Sequence, residues 1–266
     1  NVAGSPYSGN ISVSTTGHPT IDVAIASSTV AAKGLTISGL TASNKVYNAT
    51  TAASLTGTAA LVGVETGDIP NVTLGGSASA SFASASVGTG ISVTVSGYTL
   101  SGSAAGNYSL TQPAGLTADI TAKGLTISGL TADNKVYNAT TAAILSGTAA
   151  IVGVEAGDVA NVTLGGTAVA SFATAGVGTG IAVSVTGYTI SGTAAANYTV
   201  AQPTGLTADI TAKGLTISGL TADNKVYNAT TAATLTGTAA LVGVEAGDVA
   251  NVTLGGTAVA SFATAT

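Results

Sequence analysis

The fold is decided by a stretch that occurs three times, Lys33-Gly34-Leu35-Thr36-Ile37-Ser38-Gly39-Leu40. The same eight residues return at 123–130 and at 213–220, so the spacing is 90 residues both times. The first and second copies are identical at 69 of 90 positions, and the second and third at 50 of the 54 available positions. A period of 90 far exceeds the roughly 20–50 residues of a solenoid unit. Each copy is therefore long enough to form a domain with its own core.

The repeat spacing predicts four segments along the chain. Residues 33–122 are the first repeat, 123–212 the second and 213–266 an incomplete third, while 1–32 are an N-terminal β segment or the end of a preceding domain. The junction between the first two copies, at Asp119 to Lys123, contains no spacer rich in Gly, Ser or Pro. Such a spacer would make the link flexible. We therefore expect the copies to sit end to end with restricted hinges.

Within a copy, the residue pattern is that of short β-strands. Ile91-Ser92-Val93-Thr94-Val95-Ser96 alternates strictly, which places three apolar side chains on one face and three hydroxyls on the other. Gly75-Gly76 lies between two further β-prone runs and predicts a hairpin turn. About seven short strands per copy predict an all-β fold, in which tandem small immunoglobulin-like β-sandwich repeats form an extended rod.

The composition excludes several classes of function. Only 6% of the residues are charged, against roughly 25% in an ordinary soluble domain. There is no Cys and only one histidine, His18, so thiolate sites, multi-histidine metal sites and a repeated Ser-His-Asp triad are excluded. Six Lys, no Arg and a net charge of -5 do not fit a nucleic-acid partner. We expect no enzyme activity, and no membrane insertion in this fragment, because no apolar run approaches ~18 residues.

Three motifs recur in a fixed order within the copies. They are the segments 45–53 (KVYNATTAA), 106–110 (GNYSL) and 112–120 (QPAGLTADI). Over residues 33–266 the chain resembles the YDG repeats of large bacterial surface adhesins. The resemblance implies a secreted, mostly β module of filamentous-haemagglutinin-like or other proteins at the extracellular cell surface. The name motif differs, because Tyr-Asp-Gly is replaced by Tyr47-Asn48-Ala49 and its equivalents. Since alanine is disfavoured at positive φ, this replacement argues against a type I′ turn there.

Nine Asn-x-Ser/Thr triplets are acceptors for N-glycosylation in a secreted protein. Their asparagines are Asn10, Asn48, Asn71, Asn107, Asn138, Asn161, Asn197, Asn228 and Asn251. A chain this rich in Asn, Ser and Thr also generates such triplets by chance, and repetition multiplies them. Unmodified asparagines are therefore the alternative.

One loop of each copy contains two carboxylates three residues apart. The pairs are Glu65 and Asp68, Glu155 and Asp158, and Glu245 and Asp248. They are weak candidates for calcium, which prefers loops rich in oxygen ligands, but two acids are few for a site of six to eight ligands. A solvated loop is the simpler interpretation, and no other cofactor is expected. Asp119 and Asp209 lie near a junction lysine, where a bridging ion or a salt bridge is the alternative to simple solvation.

Two further groups of residues have alternative interpretations. Lys45 follows Asn44, which allows either a covalent Lys–Asn link or a solvated strand edge. Tyr47, Tyr108 and Phe82, together with Tyr98, are expected to pack in the core with their hydroxyls at its rim. A sugar-stacking platform is the alternative.

Two classes of function remain. In the first, the repeats are a semi-rigid spacer in an adhesin stalk or fibre, with neighbouring repeats as partners and a receptor that the sequence does not identify. In the second, the chain is a subunit of a self-assembling extracellular filament or sheath, with other copies of itself as partners. The 54 residues of the third copy and the first 32 residues together approach one period. Strand donation from one chain to the next would therefore be one way of joining such subunits.

Overall fold

The computed structural model describes residues 6–264. Residues 1–5 of the predicted N-terminal segment and 265–266 of the third copy lie outside the described residues. The N-terminal segment contains β1 (Pro6–Val13) and β2 (Ile21–Thr29). The first copy contains β3 (Lys33–Ala42), β4 (Lys45–Val46), β5 (Leu55–Val62), β6 (Thr73–Phe82), β7 (Gly88–Ser101), β8 (Tyr108–Leu110) and β9 (Leu116–Thr121).

The second and third copies repeat this arrangement. The second contains β10 (Lys123–Ala132), β11 (Lys135–Val136), β12 (Ala142–Ala143), β13 (Leu145–Val152), β14 (Thr163–Phe172), β15 (Gly178–Ser191), β16 (Tyr198–Val200) and β17 (Leu206–Thr211). The third contains β18 (Thr216–Ala222), β19 (Ala232–Ala233), β20 (Leu235–Val242) and β21 (Ala260–Ser261). Short 3-10 helices span Thr66–Asn71, Ala105–Asn107, Ala156–Asn161, Ala195–Asn197 and Ala246–Asp248. The prediction of an all-β tandem repeat is confirmed.

The chain divides into two compact units whose bounds cross those of the copies. The first unit consists of Asn1–Gly124 with Glu155–Val162 and Gly192–Thr199. The second consists of Leu125–Val154, Thr163–Ser191 and Val200–Thr266. By sequence, 155–162 and 192–199 belong to the second copy, so the first unit combines residues of two successive copies.

The first unit contains a hairpin and the two sheets of the first copy. β1 and β2 pair antiparallel with each other. One sheet of the first copy has the order β5-β3-β8, in which β3 is antiparallel to β5 and parallel to β8. The other has the order β4-β9-β7-β6, in which β4 is parallel to β9 and the remaining pairs are antiparallel. This order is not the ABED and CFG arrangement of an immunoglobulin domain.

Strand alternation places the core of the first copy. Val93 and Val95 are buried, at 4% and 3% exposed. Ser92 and Thr94, which alternate with them, face solvent, as the alternation predicted. Of the expected core aromatics, Tyr47, Tyr108 and Phe82 are buried, with Phe82 only 2% exposed, whereas Tyr98 is half-buried. A second cluster of the same unit packs around Leu35, with Leu61, Val64, Leu100 and Leu110 at its margin. Each large apolar side chain buried in this way stabilises the fold by about 1.5–3 kcal/mol.

The second unit contains a sheet with the order β11-β17-β15-β14-β12, and β10 pairs with β13. Its core cluster consists of Phe172, Val183, Ala208 and Ile210, which are the counterparts of buried residues in the first copy. In the third copy, Phe262, the counterpart of Phe82 and Phe172, is 37% exposed.

Gly75 and Gly76 do not form the predicted hairpin turn. They lie inside β6, where the register with β7 shifts between Gly76 and Ser79. A Cβ on Gly76 would lie 2.1 Å from the Gly97 carbonyl oxygen, and a Cβ on Gly97 would lie 2.2 Å from the Ser77 oxygen. Both glycines have positive φ, 88° and 94°. They therefore permit a β-bulge with close backbone approach, which the sequence pattern does not distinguish from a turn.

Among residues 6–264, no helix is both long and apolar enough to cross a membrane.

Candidate functional site

The segment that carries the family motif, Lys45-Val46-Tyr47-Asn48-Ala49-Thr50, is a tight turn built around a lysine ammonium group. Lys45 Nζ donates to Asn48 Oδ1 at 2.9 Å, to the Thr50 carbonyl oxygen at 2.5 Å and to the Ala52 carbonyl oxygen at 3.0 Å. An ammonium group has three donors, so these three bonds satisfy it. Lys135 and Lys225 make the same three bonds in the second and third copies. We call this arrangement the lysine turn.

The lysine turn also places a cation beside an aromatic ring. Lys45 Nζ lies 5.2 Å from the centroid of the Phe82 ring, and Lys135 lies at the same distance from Phe172. This distance is within the range of a cation–π interaction. Burial lowers the pKa of the Lys45 ammonium below its ordinary value. The ammonium group of Lys45 thus stabilises the turn and packs it against the core. The side chain has a structural role and does not simply solvate a strand edge.

Alanine adopts positive φ in this turn, whereas the asparagine before it does not, so the turn lacks the two successive positive-φ residues of a type I′ turn. Ala49, Ala139 and Ala229 have φ of 58°, 59° and 61°. Asn48 Oδ1 accepts hydrogen bonds from the Thr50 amide at 3.3 Å and the Thr50 hydroxyl at 2.9 Å, which is an Asx-type turn. These bonds and those of Lys45 hold the backbone in a conformation that costs a non-glycine residue free energy.

The first and second copies each also contain a buried tyrosine whose hydroxyl binds the acidic loop of the same copy. In the first copy, Tyr108 Oη donates to Asp68 Oδ2 at 2.7 Å and accepts from the Glu65 amide at 3.2 Å. Lys33 forms an ion pair with Glu65. We define the junction face of a copy by these four residues, Lys33, Glu65, Asp68 and Tyr108, or by their counterparts.

Within the first unit, the tyrosine of the lysine turn contacts the junction face of the next copy. Tyr47 Oη donates to Asp158 Oδ2 at 2.7 Å, and Tyr198 Oη donates to the same oxygen at 2.7 Å. The rings of Tyr47 and Tyr198 meet edge to face, with centroids 5.2 Å apart. One carboxylate thus accepts a hydroxyl from each of two successive copies. Hydrogen bonds to an ionised acceptor are about twice as strong as neutral ones.

The two tyrosines are held in their protonated form. Tyr47 is 5% exposed and Tyr198 also 5%. Burial, and next the hydrogen bond to Asp158, raises the pKa of both hydroxyls to about 12. The pair therefore remains a hydrogen-bond donor throughout the neutral range.

A second bond and an ion pair complete this junction. The Val87 amide donates to Asn197 Oδ1 at 3.0 Å, and Lys123 Nζ donates to Glu155 Oε1 at 2.5 Å. The ion pair is part of the second copy's junction face, because Lys123 and Glu155 correspond to Lys33 and Glu65. A bridging ion or a salt bridge was expected near Asp119. In the structure the junction lysine, Lys123, pairs with Glu155, and Asp119 Oδ1 accepts a hydrogen bond from the Gly90 amide at 2.7 Å.

The second unit contains the same contact one repeat further along. Tyr137 Oη donates to Asp248 Oδ2 at 2.7 Å, and Lys213 pairs with Glu245. The hydrogen bond to Asp248, followed by burial, raises the pKa of Tyr137. Val177 and Tyr137 line a cavity of about 210 Å³ with residues of the third copy that include Leu215 and Val252. The junction is therefore a repeated feature of the chain.

The candidate calcium ligands all lie on junction faces. Asp158 accepts two tyrosine hydroxyls and Glu155 pairs with Lys123, so both carboxylates have protein partners. In the part of the chain that the structure describes, no group of three or more His, Cys, Asp or Glu side chains is placed to hold a metal ion. Calcium binding stays a prediction for Glu65, Asp68, Glu155, Asp158, Glu245 and Asp248.

The nine acceptor asparagines differ in accessibility. Asn10, Asn48, Asn71, Asn138, Asn161, Asn228 and Asn251 are exposed, and Asn107 and Asn197 are half-buried. Asn197 lies at the junction through its bond from Val87. Glycosylation stays a prediction at all nine positions.

Sequence reasoning placed these tyrosines in the core but did not find the junction. The contact between Tyr47 and Asp158 joins residues 111 positions apart, in different copies. The only signal was the recurrence of Tyr, Glu and Asp at the same positions of every copy. The predicted Lys–Asn partners also have separate roles, because Asn44 Oδ1 accepts from the Asp119 amide and Lys45 binds the turn.

Comparison with known proteins identifies the repeat. A profile of the YDG domain matches residues 31–115, 121–205 and 211–266. No curated protein matches the chain. No solved structure matches it either.

Proposed function

Because the chain belongs to the YDG domain family, in three tandem copies, we propose that it is a non-enzymatic structural region of an extracellular adhesin stalk or fibre, acting as a semi-rigid spacer. The YDG domain is a repeat and binding-type domain and not a recognised enzyme family. The proposal places the chain at the cell surface, on the strength of the resemblance of its motifs to adhesin repeats.

The observation that carries the proposal is the bond from Tyr47 to Asp158 within the first unit. It ties the lysine turn of one copy to the loop of the next, while β9 and β10 are separated by Ala122 alone. A buried hydrogen bond with a charged acceptor contributes about 1.5–3 kcal/mol. Successive copies are thus connected both by the chain itself and by this hydrogen bond, without a flexible linker between them. Such a junction resists bending, as a semi-rigid stalk requires.

The experiment is a distance measurement between two copies. Because the chain contains no cysteine, Thr94→Cys and Ser184→Cys introduce the only two labelling sites, at equivalent exposed strand positions. Pulsed electron paramagnetic resonance on the spin-labelled chain should give one narrow distance distribution. Tyr47→Phe should broaden it, because the ring remains and only the hydroxyl bond to Asp158 is removed.

Tyr227→Phe is the matched control, since Tyr227 has the same motif position but its ring is 71% exposed. It should leave the distribution unchanged. A broad distribution in the parent chain would exclude a semi-rigid spacer. The location is tested separately, by protease treatment of intact cells that produce the full protein. Repeats at the cell surface are cleaved in that treatment, and repeats inside the cell are protected.

The alternative function, a subunit of a self-assembling extracellular filament, is favoured by a different observation. The same contact between successive copies occurs twice, from Tyr47 to Asp158 and from Tyr137 to Asp248, so each copy carries groups that are complementary to those of another copy. Strand donation stays a prediction, and in the structure β1 and β2 pair with each other.

A further inference from the structure

The strand through which the chain leaves a copy is paired in parallel with a strand near the start of that copy. In the first copy, the end of β9 pairs with β4, and the register joins Lys45 to Ile120 and Val46 to Thr121. In the second copy, β11 and β17 pair in the same parallel way. Both copies contain all 90 residues of the period, so this pairing belongs to the repeat itself.

Three further hydrogen bonds reinforce the parallel pair. Asn44 Oδ1 accepts a bond from the Asp119 amide at 2.7 Å. The Tyr47 amide donates to the Thr121 carbonyl oxygen at 2.9 Å, and Thr121 Oγ1 donates to the Lys45 carbonyl oxygen at 3.4 Å. The second copy repeats these bonds at 2.7, 2.8 and 3.3 Å. We call the contact of residues 44–47 with 119–121, and of 134–137 with 209–211, the exit clamp.

The place of the exit clamp in the chain decides which residues carry tension. A pull on the two ends of the first copy acts at Lys33, where β3 begins, and at Thr121, where β9 ends. The covalent chain transmits this pull from Lys33 to β4, and the bonds of the clamp transmit it from β4 directly to β9. The 71 residues in between, 48–118, lie in a loop that the clamp closes. They are under no tension while the clamp holds.

The parallel orientation loads all bonds of the clamp together. β4 is pulled through its N-terminal end and β9 through its C-terminal end, so in a parallel pair the two forces are opposed and lie along the strands. β9 must therefore slide past β4, and the bonds between them must break at the same time. An antiparallel pair pulled from one end would lose its bonds one after another. Sliding would also withdraw Ile120, which is 1% exposed, from the core.

The lysine turn fixes the other side of the clamp. β4 has only two residues and few backbone bonds of its own. Its Lys45 side chain binds the carbonyl oxygens of Thr50 and Ala52 and lies 5.2 Å from the centroid of the Phe82 ring. Tyr47, directly after β4, is 5% exposed. These contacts hold β4 against the core when β9 is pulled.

We propose that the exit clamp enables each copy to bear tension along the chain, because it keeps residues 48–118, or 138–208 in the second copy, out of the path of the force. This function goes beyond that of a semi-rigid spacer. The spacer function concerns bending between successive copies, whereas the clamp concerns the unfolding of a single copy under a pull.

Single-molecule force spectroscopy on the complete chain tests the proposal. Because the chain contains no cysteine, Ala31→Cys and Ala212→Cys provide attachment points at exposed positions on either side of the first two copies. At constant force, the parent chain should extend in two abrupt steps, one for each copy. Each step should reach at most about 300 Å, since an extended chain spans about 3.3–3.6 Å per residue. The waiting time before each step measures the rate of forced unfolding.

The second copy serves as an internal reference for variants of the first. Asn44→Ala removes one bond of the first clamp, so one of the two steps should occur about 2- to 10-fold sooner, as expected for the loss of one ordinary hydrogen bond. Combining it with Asn134→Ala should shorten both waiting times. Gln112→Ala is the matched control, because the Gln112 amide binds the Tyr98 backbone at 3.1 and 2.9 Å inside the loop that the clamp closes. It should leave both waiting times unchanged.

Three outcomes would overturn the proposal. They are a parent chain that extends gradually, an Asn44→Ala chain with the waiting times of the parent, and a Gln112→Ala chain whose first step is as fast as that of Asn44→Ala. Urea denaturation of both variants before pulling establishes that they are folded, which is expected because Asn44 is exposed and water can replace its bond. The spin-label distances are measured without tension. A narrow distance distribution in a chain that extends gradually would therefore refute the clamp and leave the spacer function intact.

Discussion

Glycine at the alanine of the lysine turn should stabilise the protein, contrary to its usual effect. Ala49 has φ of 58° and its side chain is exposed, so removal of its Cβ loses no packing. A left-handed conformation costs an L-residue about 1–2 kcal/mol, which Ala49→Gly relieves. Greater freedom of glycine in the unfolded chain offsets about 0.4–1 kcal/mol of this. The relief of strain is the larger effect, and the net gain should be about 0.5–1 kcal/mol.

Urea denaturation measures this gain. The eight tyrosines provide the fluorescence signal, since the chain has no tryptophan. With a denaturant slope of about 1–3 kcal/mol/M, a gain of this size moves the midpoint upward by about 0.2–1 M. Ala139→Gly should give the same shift in the second copy, where φ is 59°.

The control is the same substitution at an alanine in ordinary extended backbone. Ala60 is exposed in β5, and its φ is not positive. Ala60→Gly should lower stability by roughly 0.5–1 kcal/mol through backbone entropy alone. If Ala49→Gly lowered the midpoint as Ala60→Gly does, the reasoning about strain in the turn would be refuted.

Three further predictions concern the turn, the bulge and the junction. Lys45→Met should cost about 1.5–3 kcal/mol in urea denaturation, because two backbone carbonyl oxygens lose a charged donor, and Lys45→Arg should not restore the loss. Gly97→Ala should abolish amide-exchange protection between β6 and β7, because its Cβ would lie 2.2 Å from the Ser77 oxygen. Gly115→Ala, with φ of +73° and no atom within 4 Å, should cost only about 1–2 kcal/mol. Since the pKa of Tyr47 and Tyr198 is raised from 10.0 to about 12, the folded chain keeps protons that the unfolded chain releases. Stability should be complete below pH 10 and decline as the pH rises to about 12, and melting temperatures that stayed constant across that window would contradict this.

The sequence predicted the features that depend on local pattern. Alternation at Ile91 to Ser96 placed the buried face of β7, and the period of 90 residues gave the tandem organisation. The extent of β9, Leu116–Thr121, also agrees with the expected strand. These features follow from which side chains are apolar and from where they recur, and both are read directly from the order of residues.

The sequence pattern did not predict features that depend on close backbone approach or on contacts between copies. Gly76 has the same turn signature whether it ends a strand or permits a bulge, and only the position of Gly97 opposite distinguishes the two. Ala49 adopts positive φ because Lys45 and Asn48 bind the surrounding backbone, which outweighs its own preference. In both cases tertiary context decides the local conformation.

Although charged residues are scarce in this chain, most of them occupy two kinds of place in the structure. Three of the six lysines form lysine turns, and the other three pair with a glutamate on a junction face. The three aspartates that follow those glutamates accept tyrosine hydroxyls. A chain with 6% charged residues thus concentrates its charge at the turn that begins each junction and at the face that receives it. Because the same groups recur every 90 residues, each copy carries both halves of one contact, and adding a copy adds a further junction of the same kind. Neutral substitutions on the hydroxyl-rich strand faces should therefore be tolerated, whereas loss of a single junction charge should weaken the connection between two copies.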